Sequence, residues 1–95
     1  MQFDIAYSQE KNELLKKTRG ICFEDVSEAL GKGGYIDSIA HRNREKYPNQ
    51  KILVVKIKNY IYAVPYIFNS EKNLAFLKTV YPDRKLTKRY LRKKV

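Results

Sequence analysis

The sequence holds one cysteine, one histidine and no tryptophan in 95 residues. The lone Cys22 excludes an internal disulfide framework and any cysteine-based zinc cage. With His41 the single histidine and the acids scattered, no metal cage assembles from the pattern, so neither metal nor cofactor is expected. No apolar run approaches the roughly 18 to 20 residues that cross a bilayer, and no membrane role is expected. The opening MQFDIAYSQE has neither a basic n-region nor an apolar h-region, so no secretory signal is read there and the cytoplasm is the expected compartment. P-loop, nucleophile-elbow and dinucleotide fingerprints are all missing. GKGG at 31–34 lacks the GK[ST] ending of a phosphate loop and reads as a turn.

What is present is enough for one domain, residues 1–95. The chain is 43% hydrophobic and 13% aromatic, sufficient for one modest core. The net charge is +10, and its placement is uneven. Residues 1–50 carry eight bases and eight acids, whereas residues 51–95 carry twelve bases against Glu71 and Asp83 alone. The last twelve residues, RKLTKRYLRKKV, hold seven bases and no acid. Such a field attracts polyanions, so RNA, DNA or an acidic protein is the expected partner. The plainer alternative is a solvated basic tail.

Local patterns place the elements. Ser8 followed by QEKNELLKKTRG reads as a helix with Ser8 as N-cap, Leu14 and Leu15 inward and Gly20 as its stop. FEDVSEAL (23–30) reads as a second short helix with Phe23, Val26 and Leu30 as its apolar stripe. A short strand is possible over 35–40, and the polar stretch 41–50 is a loop. KILVVKIK (51–58) predicts a strand with one wet face, and Asn59-Tyr60 a tight turn into IYAVPYIF. Pro65 there predicts a bulge or an edge strand, because proline cannot donate to a ladder. LAFLKTVY (74–81) predicts a third strong strand, and 84–93 a closing basic helix with Leu86 and Tyr90 or Leu91 inward. The expected fold is α+β: two N-terminal helices, an antiparallel sheet of three to four strands, and a short basic C-terminal helix, the helices packed on one sheet face.

The stretch FDIAYSQEKNELLKKTRGICFEDV resembles the opening of BrnT-type toxins, at Phe3, Lys11, Gly20, Ile21, Phe23, Glu24 and Asp25. The closing FLKTVYPDRKLTKRYLR resembles that family's last strand and basic helix, at Arg84, Lys85, Thr87, Lys88 and Arg89. Tyr7 and Ser8 stand where the family has Trp and Asp, and Thr18-Arg19 where it has Lys-His. The family's last-strand arginine has no clean counterpart, Lys78 lying one residue off register. The resemblance implies a RelE/ParE-like fold and a small ribonuclease that arrests translation. It further implies neutralisation by a cognate antitoxin, usually one with a ribbon-helix-helix part through which the complex reaches operator DNA.

Metal-free RNA cleavage needs a base for the 2′-hydroxyl, cations for the phosphorane and an acid for the 5′-oxygen. Arg84 and Lys85 are the first candidates, Arg84 because its fork can grip two phosphate oxygens. Lys78 and Tyr81, at one strand end, offer a cation and a proton donor, against the plainer reading of a wet-face lysine and a core tyrosine. Histidine is the residue type best suited to proton transfer near neutral pH, and His41 is the third candidate. Arg42, Lys56, Lys88, Arg89 and Arg92 join Tyr81 as candidate nucleic-acid contacts. Two other functions fit the same charge: a non-catalytic nucleic-acid-binding protein, and a ParE-like topoisomerase inhibitor.

Overall fold

The computed structural model describes residues 3–91. Helix α1 (Gln9–Arg19) begins and ends where the caps require. Ser8 Oγ accepts from the Lys11 N–H at 3.2 Å, and Gly20 takes a left-handed φ of 68° while its N–H donates to the Leu15 carbonyl. Leu15 is buried, but Leu14, expected inward as well, is 51% exposed. Neighbouring helix positions point about 100° apart, and only one of the pair faces the core. Helix α2 (Phe23–Gly31) buries Phe23, Val26 and Leu30, as its spacing predicts. The buried Asn12 joins the two helices, its Oδ1 accepting from the Phe23 N–H at 2.7 Å and its amide donating to Glu24 at 2.8 Å.

The strands are β1 (Asp4–Tyr7), β2 (Tyr35–Ala40), β3 (Lys51–Ile57), β4 (Tyr60–Asn69), β5 (Leu74–Leu77) and β6 (Tyr81–Pro82), and α3 (Arg84–Leu91) follows. They form one mixed sheet in the order β1-β5-β4-β3-β2, with β6 also paired to β4. β1 runs parallel to β5, Asp4 opposite Leu74 and Tyr7 opposite Leu77. The other pairings are antiparallel.

The fold is α+β, but its layout corrects the expectation in three ways. The first described element is a strand, not a helix. The sheet has six strands and is mixed, where an antiparallel one of three or four was expected. The helices cover both faces instead of one. α1 and α2 close a core with Leu53, Val55, Val64 and Leu77, while Leu86 of α3 closes a second with Ile52, Val54, Ile61 and Ala63. β3 therefore has no wet face over residues 52–55, all four of which are buried. Its lysines lie at and beyond the end of this double burial.

Two further strand expectations fail for local reasons. The β3–β4 turn is at Lys58 and Asn59, with φ of 52° and 66°, one residue earlier than predicted. Two positive-φ residues in a two-residue hairpin match the right-handed strand twist. Pro65 lies in a central strand, opposite Ile52 of β3. Its carbonyl accepts from the Lys78 N–H at 2.8 Å. In an antiparallel strand a residue's donor and acceptor point to the same side. The donor that proline lacks would thus face the gap where β5 has ended and β6 has not begun. The 74–81 run accordingly breaks after Leu77, buries Val80 in the crossing, and resumes as β6.

Candidate nucleic-acid interface

Helix α3 carries the basic side chains, and its first turn is fastened to the sheet. Asp83, just before it, is buried; its Oδ1 accepts from the Leu86 N–H at 2.9 Å, an N-cap bond. The Asp83 N–H donates to the Ile61 carbonyl at 3.0 Å. The Thr87 hydroxyl donates to the Asp83 carbonyl at 2.7 Å and accepts from the Ile61 N–H at 3.1 Å. At the other end the Tyr90 hydroxyl donates to Asp37 Oδ2 on β2 at 3.0 Å. Burial, reinforced by this carboxylate, pushes the Tyr90 phenol above its ordinary pKa, so it remains a donor. Leu86 and Thr87 turn inward, leaving Arg84, Lys85, Lys88 and Arg89 exposed.

Arg84 and Lys88, one turn apart, line an open cleft of about 330 Å³ with Thr87 and Tyr60. Tyr60 was read from sequence as part of a turn. In the structure it opens β4, its ring edge-on to Tyr62 with centroids 6.0 Å apart. The cleft is thus lined by two basic residues and a tyrosine.

The loop before β3 reaches the same place from the other side. The Arg42 guanidinium pairs with Asp83 Oδ2, and its side chain remains 54% exposed. The acid that caps α3 thus holds Arg42 beside the start of the helix. This contact joins two groups of candidates, His41-Arg42 and Arg84-Lys85, that are far apart in sequence. His41 lies next in the loop, its ring 4.6 Å from that of Tyr47 and its Nδ1 accepting from the Asn43 N–H at 3.0 Å. That bond occupies the Nδ1 lone pair, so in this geometry the ring nitrogen that could take up a proton is already engaged.

The remaining candidates are placed apart. Lys78 lies just past β5, its ammonium 5.4 Å from the centroid of the Phe76 ring. Tyr81 is on β6 and packs against the second core, so the two do not share a strand end. Lys56 lines a separate cleft of about 430 Å³ with Asp25, Glu28, Lys32 and Lys58, where acids offset its charge. Arg92 lies outside the described residues. Among the described residues no three His, Cys, Asp or Glu side chains group as a metal site, and no helix is long and apolar enough to cross a membrane.

Asp83 and Tyr60 are the residues that sequence reasoning missed. Asp83 had a local signal, an acid between a proline and a helical pattern. Tyr60 had none, because its neighbours come from a helix more than twenty residues further on. No protein-family model matches this chain, and no curated protein is significantly similar to it.

Proposed function

We propose that this chain is the toxin of a toxin–antitoxin pair, a cytoplasmic endoribonuclease that works without a metal and arrests translation. The observation that carries the reading is the gathering of Arg84, Lys88 and Tyr60 around one cleft, with Arg42 fastened beside it through Asp83. RNA supplies its own nucleophile. The 2′-oxygen attacks phosphorus, the bond to the 5′-oxygen breaks, and a cyclic phosphate and a 5′-hydroxyl result. The protein's share is to hold the chain and to stabilise charge as the phosphorane forms. Arg84 suits the phosphorane, since a planar fork can meet two of its oxygens. Lys88 adds a point charge, and Tyr60, lining the same cleft, brings a hydroxyl able to pass a proton. The resemblance to BrnT-type toxins at Arg84, Lys85, Thr87, Lys88 and Arg89 supports the same reading.

The cognate antitoxin, on this reading, covers the basic half with acidic and apolar residues and links the complex to operator DNA through a ribbon-helix-helix part. Opposed charge of this kind speeds association and excludes other partners. Expression of the chain alone is expected to stop translation, and the purified protein to cut RNA in the presence of EDTA. Growth arrest with intact RNA and a blocked topoisomerase would favour the ParE-like function instead.

Binding should depend steeply on salt. If α3 and its neighbours meet about four phosphates, the slope of log K against log salt for single-stranded RNA is expected near −3. Fluorescence anisotropy over a salt series measures it, and a flat response would remove the electrostatic basis of the proposal.

A further inference from the structure

The face of the sheet that carries α3 continues beyond the helix. Ile61, Ala63, Pro65 and Ile67 alternate along one side of β4, and Ile67 is directly opposite Phe76 of β5. The helix covers Ile61 and Ala63, both fully buried. It does not cover the outer pair: Ile67 is 37% exposed and Phe76 38%. Lys78, two residues on, holds its ammonium 5.4 Å from the centre of the Phe76 ring. A ring open to solvent, an aliphatic neighbour across the ladder and a cation at hand form an aromatic platform beside a positive charge. Register places two acids on this face, Asp4 of β1 opposite Leu74 and Asp37 of β2 opposite Val54, the latter engaged by the Tyr90 hydroxyl.

We propose that Phe76, with Ile67 and Lys78, forms a stacking subsite for a base of single-stranded RNA lying on the α3 face of the sheet. This rests on the reading that the chain binds RNA. Every base has a π-face, so stacking on an exposed ring holds single strands with little sequence preference. Lys78 meets the phosphate of the stacked nucleotide by swinging off the ring. RNA is favoured over a protein partner because Ile67, Phe76 and Lys78 belong to the half of the chain that carries the whole net charge of +10. The platform extends the interface past α3, so an RNA bound by Arg84 and Lys88 has a second point of attachment.

The absence of tryptophan makes the test direct. Phe76→Trp puts a single indole on the platform. The probe is a 2′-O-methyl oligonucleotide of about ten nucleotides, within the usual span of single-strand sites, which is bound but lacks the nucleophile for cleavage. The indole is expected to be quenched at the oligonucleotide concentration that saturates anisotropy, and an abasic oligomer of equal charge to bind without quenching. Phe76→Ala should weaken binding about tenfold, while Phe76→Tyr keeps the wild-type affinity. Lys78→Ala should make the salt slope shallower by about 0.7. Wild-type RNA affinity in Phe76→Ala, or an unquenched indole under saturating RNA, overturns the subsite and leaves RNA binding elsewhere standing. Loss of antitoxin neutralisation in Phe76→Ala with RNA affinity unchanged makes the face a protein-docking surface and overturns it equally. Failure of the wild-type protein to bind the oligonucleotide removes the RNA reading itself.

Discussion

Arg84→Ala is expected to lower RNA cleavage by on the order of 100-fold or more, about 3 kcal/mol in the barrier, and to abolish toxicity. The side chain is exposed at the first position of α3, so its loss opens no cavity. The helix start is held by Asp83 and Thr87, which remain. Fold and antitoxin binding should persist, and the loss should fall on kcat, since the group acts on charge that appears only in the transition state. Arg84→Lys should restore part of the rate, because an ammonium keeps the charge but not the two-pronged geometry. Lys85→Ala should be milder, and His41→Ala separates the proton-transfer role from the electrostatic one. Single-turnover cleavage of a defined RNA measures all four. Wild-type cleavage by Arg84→Ala would move the chemistry away from α3, towards His41 and Arg42.

The largest effect on stability is expected at Gly34. A Cβ there would lie 2.7 Å from the Lys56 carbonyl oxygen and 2.8 Å from that of Ala29. Both obstacles are backbone and cannot turn aside. Gly34 is also bonded on each side, its N–H to the Ala29 carbonyl at 2.7 Å and its carbonyl to the Lys56 N–H at 2.8 Å. It pins the end of α2 against β3. Gly34→Ala forces these elements apart at a cost of about 3 kcal/mol, at the upper end of ordinary overpacking. In a domain of this size that lowers Tm by more than about 10 °C. Gly31→Ala is the control: it ends α2 with nothing within 4 Å of the added carbon, and alanine in a helix should raise stability by up to about 1 kcal/mol. Thermal denaturation of the two variants decides it, and a Gly34→Ala as stable as Gly31→Ala would refute the steric account.

What the sequence revealed is what neighbours in sequence determine. Ser8, Gly20 and the Phe23, Val26, Leu30 stripe act over one or two helical turns, so their roles could be read directly. β1 could not be read so, since four residues show too little alternation and the partner strand lies at the far end of the chain. The run ILVV in β3 did carry a signal of burial on both sides, which the flanking lysines obscured. The break after Leu77 depends on Pro65 in the adjacent strand. At the site, Arg84 and Lys88 were visible as a basic helical face. The Arg42–Asp83 pair was not, because nothing near either residue reports the other.

The parallel pairing of β1 with β5 has a consequence for synthesis. The chain is made from its first residue, yet β1 has no strand to join until Leu74–Leu77 has left the ribosome. Until then β1, whose Ile5 and Tyr7 pack against the first core, lacks the strand it pairs with, and the edge of β4 stands open. Long-range pairing of this kind is slow to close and leaves apolar surface accessible meanwhile. Arg84 and α3 emerge directly behind β5, so the basic helix and the strand that completes the sheet become available almost together. A nascent chain therefore carries little of the interface until nearly all of the scaffold that orients it has been made.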